Sequence, residues 1–136
     1  MAGLEPEGPL TMTKLYDAIP EFMKRLEAAL RNQGCPDLAD EVPALELEDW
    51  HYARTSDAIG MSFAGGVPWR RHDDTSNAKY EYTSFAVDDF LDVMVDVFVG
   101  RNDKLLGLDI IGPGPDRLCD RLATELEKLR PGRYYD

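Results

Sequence analysis

The chain has 136 residues, 43% of them hydrophobic and 30% charged. That composition fits one globular domain over residues 1–136 and excludes a largely disordered chain. Its 15 Lys and Arg against 26 Asp and Glu give a net charge of -11, which opposes phosphate approach, so no nucleic-acid partner is expected, and favours solubility or a basic partner.

Residues 1–10 carry Gly3, Pro6, Gly8 and Pro9 among two glutamates, which reads as a flexible lead-in. Ile19, Phe22, Met23, Leu26, Ala29 and Leu30 then follow the three-and-four spacing of a buried helical stripe. Asp17 is the expected N-cap, with Pro20 in the first turn. A kinked helix from Thr13 is the alternative. Gly34 and Pro36 stop this helix, and 37–42 suits one short helical turn.

Residues 44–54 read as a strand with Leu45, Leu47 and His51 on one side and Glu46, Glu48, Trp50 and Tyr52 on the other. A second strand, 58–64, puts Ile59, Met61 and Phe63 on one face. The stretch 65–78, GGVPWRRHDDTSNA, is long for a connection, and such loops often carry function. A strand over 79–86 alternates Tyr80, Tyr82 and Ser84 against Lys79, Glu81, Thr83 and Phe85, and Asp88-Asp89 closes it.

The region 90–111 is the strongest signal. Leu91, Val93, Val95, Val97 and Val99 share one face, with Asp92, Met94 and Asp96 on the other. The polar residues 100–103 turn the chain into 104–111, making an antiparallel hairpin. GPGP at 112–115 ends the sheet and opens a helix striped by Leu118, Cys119, Leu122, Leu126 and Leu129, with Asp116 at its positive end. The expected fold is α+β: a mainly antiparallel sheet of about five strands, with an N-terminal and a C-terminal helix on one face.

Candidate sites each compete with a plainer reading. Trp69, Arg70, Arg71 and His72 on the long loop have the composition of an interface anchor, or of an ordinary solvated loop. Asp92, Asp96 and Asp109 share a hairpin face and suit an acidic contact surface or a solvated one; no histidine has an evident place beside them. Gly112 and Gly114 have the spacing of a phosphate turn, but Arg117 replaces the third glycine and two prolines remove donors. His51, His72, Cys35 and Cys119 lack clustered metal-ligand spacing, and Cys119 lies on an apolar stripe.

No catalytic motif, cofactor or metal is called for. The first residues lack the basic and apolar regions of a secretory leader, and Asp92 and Asp96 interrupt the longest apolar region. The expectation is a cytoplasmic protein with reduced thiols and no membrane partner. The favoured function is a non-enzymatic acidic protein-interaction module. An immunity-type inhibitor of a basic bacterial toxin is one version, by analogy of size, charge and layout. Two alternatives stand beside it: a small-ligand binder or enzyme with a cleft beneath the 65–78 loop, and a structural homo-oligomer.

Overall fold

The computed structural model describes residues 14–69, 84–90, 93–112, 114 and 116–135; within 84–90 only the side chains of Ser84 and Ala86 are described. The chain runs α1 (Leu15–Ala18), α2 (Pro20–Asn32), α3 (Pro36–Glu41), a 3-10 turn (Val42–Ala44), β1 (Leu47–Ala53), β2 (Ala58–Phe63), β3 (Ser84–Phe90), β4 (Val93–Val99), β5 (Leu105–Ile111), α4 (Leu118–Leu129) and β6 (Arg133–Tyr135). The fold is α+β. One sheet has the order β3-β4-β5-β2-β1-β6, with antiparallel neighbours except for the short β6, which runs parallel to β1.

Proline sets the helix starts. Pro20 stands at the first position of α2 rather than inside it, so the chain breaks at Ile19 between α1 and α2. Pro36 likewise opens α3 instead of merely blocking α2. At the end of α2, Gly34 takes φ +88. Its N–H donates to Arg31 O at 3.1 Å and that of Cys35 to Leu30 O at 2.8 Å, a paired closure that satisfies two orphan carbonyls.

The GPGP segment does not open the last helix. Pro113 and Pro115 lie outside the described residues, while Asp116 and Arg117 take φ +51 and +57, so α4 begins only at Leu118. Asp120, not Asp116, is the acid of its first turn. Gly114, at φ +67, sits where a Cβ would press on Leu118 and Val93. It is a packing and turn residue.

Alternate strand residues join the helix stripes in one core. Trp50, Tyr52, Ile59, Met61, Phe63, Val93, Val95, Val97, Val99, Leu108 and Ile110 cluster with Phe22, Met23, Leu26 and Leu30 of α2 and with Leu118, Cys119, Leu122 and Leu126 of α4. Tyr52 OH donates to Asp120 across to α4, and the Trp50 indole N–H donates to Arg130 O at 2.9 Å.

Three strand details depart from strict alternation. In β1, Leu47 pairs with Phe63 but Asp49 with Ser62, so Glu48 is an extra residue. This bulge shifts the phase of everything after it. Leu47, Trp50 and Tyr52 all face the core, and His51 points the other way, against the expectation that Leu47 and His51 share a side. In β5, Leu106 is the extra residue opposite Phe98 and Val99, and the Glu41 carboxylate accepts the Leu105 N–H at 2.9 Å. Finally, Asp88-Asp89 do not close β3, which runs on to Phe90, and β4 begins at Val93 rather than at residue 90.

Val95 is fully buried in β4, while its neighbour Asp96 faces away from the core cluster. Val95→Asp is therefore expected to cost on the order of 4 kcal/mol, because it buries an unpaired carboxylate. Asp96→Asn should cost under about 1 kcal/mol. Urea unfolding of both variants checks this, and similar large losses in the two would contradict the alternation.

Candidate functional site

The sheet residues left out of the core line up in rows. Ala86, Asp96, Asp109, Gly60, His51 and Arg133 are successive cross-strand partners from β3 to β6. Two residues along each strand lie Met94, Ile111, Ala58, Ala53 and Tyr135. On the other side lie Phe98, Gly107, Ser62 and Asp49. Residues two apart on a strand face the same way, so these rows form one outward surface.

The β1 bulge brings His51 onto this surface. Residue 60 must be glycine for the side chains to meet as they do: a Cβ there would stand 2.7 Å from His51 Nε2 and 3.0 Å from Asp109 Oδ1. The imidazole and the Asp109 carboxylate thus converge over bare backbone. Burial pushes the Asp109 carboxyl above the usual carboxylate range; Asp96, directly opposite, pushes the same way, and His51 opposes. The Tyr135 ring stands edge-on to His51 at 5.8 Å. Arg133 is engaged with Asp49 at 2.8 Å. Among the described residues, neither Asp96 nor Asp109 forms an ion pair with Lys or Arg.

Apolar side chains flank the acids. Met94 is 55% exposed and Ile111 37%, and they are direct cross-strand partners. Two carboxylates with no Lys or Arg ion pair among the described residues, beside an exposed apolar pair, can attract and then seat a basic side chain with apolar neighbours.

The sequence-predicted site residues divide. Asp96 and Asp109 come together as cross-strand partners. Asp92, Arg70, Arg71 and His72 lie outside the described residues. Trp69 is half-buried and donates its indole N–H to Val99 O at 2.8 Å. The start of its loop is fastened to the β4–β5 turn, with Arg101 N–H donating to Val67 O at 2.7 Å and Asn102 Nδ2 to Gly65 O at 3.3 Å. His51 was the missed member. The available signal was that Trp50 and Tyr52, the largest apolar side chains of β1, bracket it, and burying both places His51 on the other face.

Other candidates contribute little chemistry. Cys119 is buried, its Sγ 3.2 Å from Gly112 O, and burial with Asp57 and Asp120 nearby pushes its thiol up to about 11, far from an activated thiolate. Cys35 is also a free thiol. Among the described residues no group of three or more His, Cys, Asp and Glu is arranged to hold a metal ion, and no helix is long and apolar enough to cross a membrane. A groove of about 1080 Å³ lies between α2 and α4, lined by Ile19, Phe22, Arg25, Leu118, Arg121 and Leu122 among others, and by none of the residues of the outward rows.

No protein-family model, curated protein or solved structure matches the chain.

The Asp109 geometry has a pH consequence. Its folded pKa is raised, so its contribution to stability is full below the ordinary carboxylate range and is lost as pH rises through the folded value. Asp109→Asn should therefore be more stable than wild type at neutral pH. The difference should vanish once pH falls below the ordinary carboxylate range. Thermal melts across that range check the sign, and a variant less stable at neutral pH would contradict it.

Proposed function

We propose that this chain is a non-enzymatic acidic interaction module of the cell interior, and that a basic protein partner docks on the outward sheet surface. The observation that supports this best is the Asp96–Asp109 pair, directly opposed across β4 and β5 with no Lys or Arg ion pair among the described residues, beside exposed Met94 and Ile111. Like charges directly opposite one another disfavour the sheet. A partner's guanidinium or ammonium placed between them would relieve that repulsion while its neighbours cover the apolar pair. The net charge of -11 adds long-range attraction for the same kind of partner. An immunity-type inhibitor of a basic bacterial toxin is one protein of this kind.

A second reading draws on His51. An imidazole beside a carboxylate is an acid–base pair, and His51 with Asp109 could serve a small-ligand enzyme. The open placement of the pair, away from the α2–α4 groove, favours binding over chemistry.

Affinity capture from the native host followed by kinetics on the captured partner tests the proposal. Joint Asp96→Asn and Asp109→Asn substitution should slow association by roughly tenfold at low salt, and added salt should slow the wild type in the same way. Met94→Ser with Ile111→Ser should instead speed dissociation. Folded variants with unchanged rates would refute this surface. Retention of duplex DNA or RNA at near-physiological salt would refute the charge argument.

A further inference from the structure

β6 is a strand of three residues, all exposed, on the outer edge of β1. Yet each of its residues has its own seat on β1 or just beyond it. The Arg133 guanidinium meets Asp49 at 2.8 Å. The Tyr134 ring stands edge-on to Trp50 at 5.5 Å and to Tyr52 at 6.3 Å, and the Arg54 guanidinium lies 4.8 Å from its centroid. The Tyr135 ring meets His51 at 5.8 Å, and Tyr135 O accepts the Arg54 N–H at 2.9 Å.

The residues just before β6 are held differently. The buried Trp50 indole donates to Arg130 O at 2.9 Å, and Gly132 lies flat on its ring, where any Cβ would overlap the indole. Arg130 in turn donates to Leu47 O at 3.1 Å. The firm attachment therefore ends at Gly132. Beyond it, β6 is held by a ladder of only three residue pairs on β1, by the exposed Tyr134 hydroxyl donating to Glu127 Oε1 at 3.0 Å, and by exposed ion-pair, cation–π and edge-on aromatic contacts, each individually weak. A short edge strand held this way opens locally at low cost.

We propose that the outer edge of β1 is a docking site for an extended protein segment of basic–aromatic–aromatic pattern, and that β6 occupies it as a self-ligand. An incoming segment would add a strand by main-chain hydrogen bonds, and the side-chain seats would read its pattern. Asp49, freed from Arg133, selects the basic residue, and Glu127 on α4, which accepts the Tyr134 hydroxyl at 3.0 Å, would accept a hydroxyl on the aromatic that follows. Trp50 and Tyr52 select the aromatic that follows.

The test uses the full chain and a labelled synthetic peptide of the sequence GRYYD, read by fluorescence anisotropy. In the full chain carrying Arg133→Glu and Tyr134→Ser the self-ligand is weakened and the seats are intact. This variant should bind the peptide at least tenfold more tightly than wild type. A peptide with glutamate in place of arginine should bind the variant at least fivefold more weakly. Equal affinity of the two chains, or indifference to the arginine, overturns the proposal. Native-state hydrogen exchange on the wild type provides a measurement that does not depend on the variant folding. The Tyr135 amide, whose residue faces β1 through its carbonyl bond to Arg54 N–H, should exchange at least a hundredfold faster than the amides of β2 and β5. Exchange of β6 only through global unfolding would show that the edge does not open and would overturn the proposal.

Discussion

The bulge at Glu48 is the constraint on which the arrangement of the sheet depends. One extra residue in β1 lets Leu47 and the pair Trp50 and Tyr52 face the same core, although they sit at odd and even positions. The Trp50 amide N–H donates to Asp49 Oδ1 at 2.9 Å just after the bulge. From this phase shift follow the two anchors of the far end of the chain. Tyr52 reaches Asp120 of α4, and Trp50 holds Arg130 and carries Gly132 against its ring. Without the shift those aromatics would face outward and His51 would be carried into the apolar core, at the cost of desolvating its ring nitrogens.

The same shift composes the outward surface. It delivers His51 to the row that already holds Asp96 and Asp109, over a glycine that leaves room for the ring. The result is a surface of mixed character: acids that disfavour each other, an imidazole, exposed Met94 and Ile111, and the edge seats that hold β6. Docking on the face draws on the outward side of β1, and strand addition at the edge draws on both sides, with Asp49 and His51 outward and Trp50 and Tyr52 toward the core. Basic residues suit both, because the carboxylates Asp49, Asp96 and Asp109 lie along adjoining rows.

How much of this was legible in the sequence depended on whether local pattern or long-range packing decided the matter. The alternation of Val93, Val95, Val97 and Val99 is local, and it correctly placed the core face of β4 and the opposite placement of Asp96. The helical stripe of α2 and the stop at Gly34 were equally readable, because spacing and a φ of +88 are properties of the segment itself. His51 was misplaced because alternation carries no record of an inserted residue; only the packing of Leu47 and Trp50 against a common core fixes the bulge. The start of α4 was missed for a related reason. GPGP reads as a helix opening, but two left-handed residues, Asp116 and Arg117, intervene before Leu118. β6 has no such local signal, since three residues have no periodicity to read and their seats come from β1.

Proton–proton nuclear Overhauser contacts from the His51 ring test the bulge most directly. The account predicts strong contacts from the His51 Hε1 proton to the Gly60 α-protons and none to Leu122 or Leu126 of α4, while the Trp50 indole shows contacts to the Gly132 α-protons. Contacts from His51 to the α4 leucines, with Trp50 showing none to Gly132, would mean that β1 runs without the extra residue, and the account of both the core and the outward surface would fail.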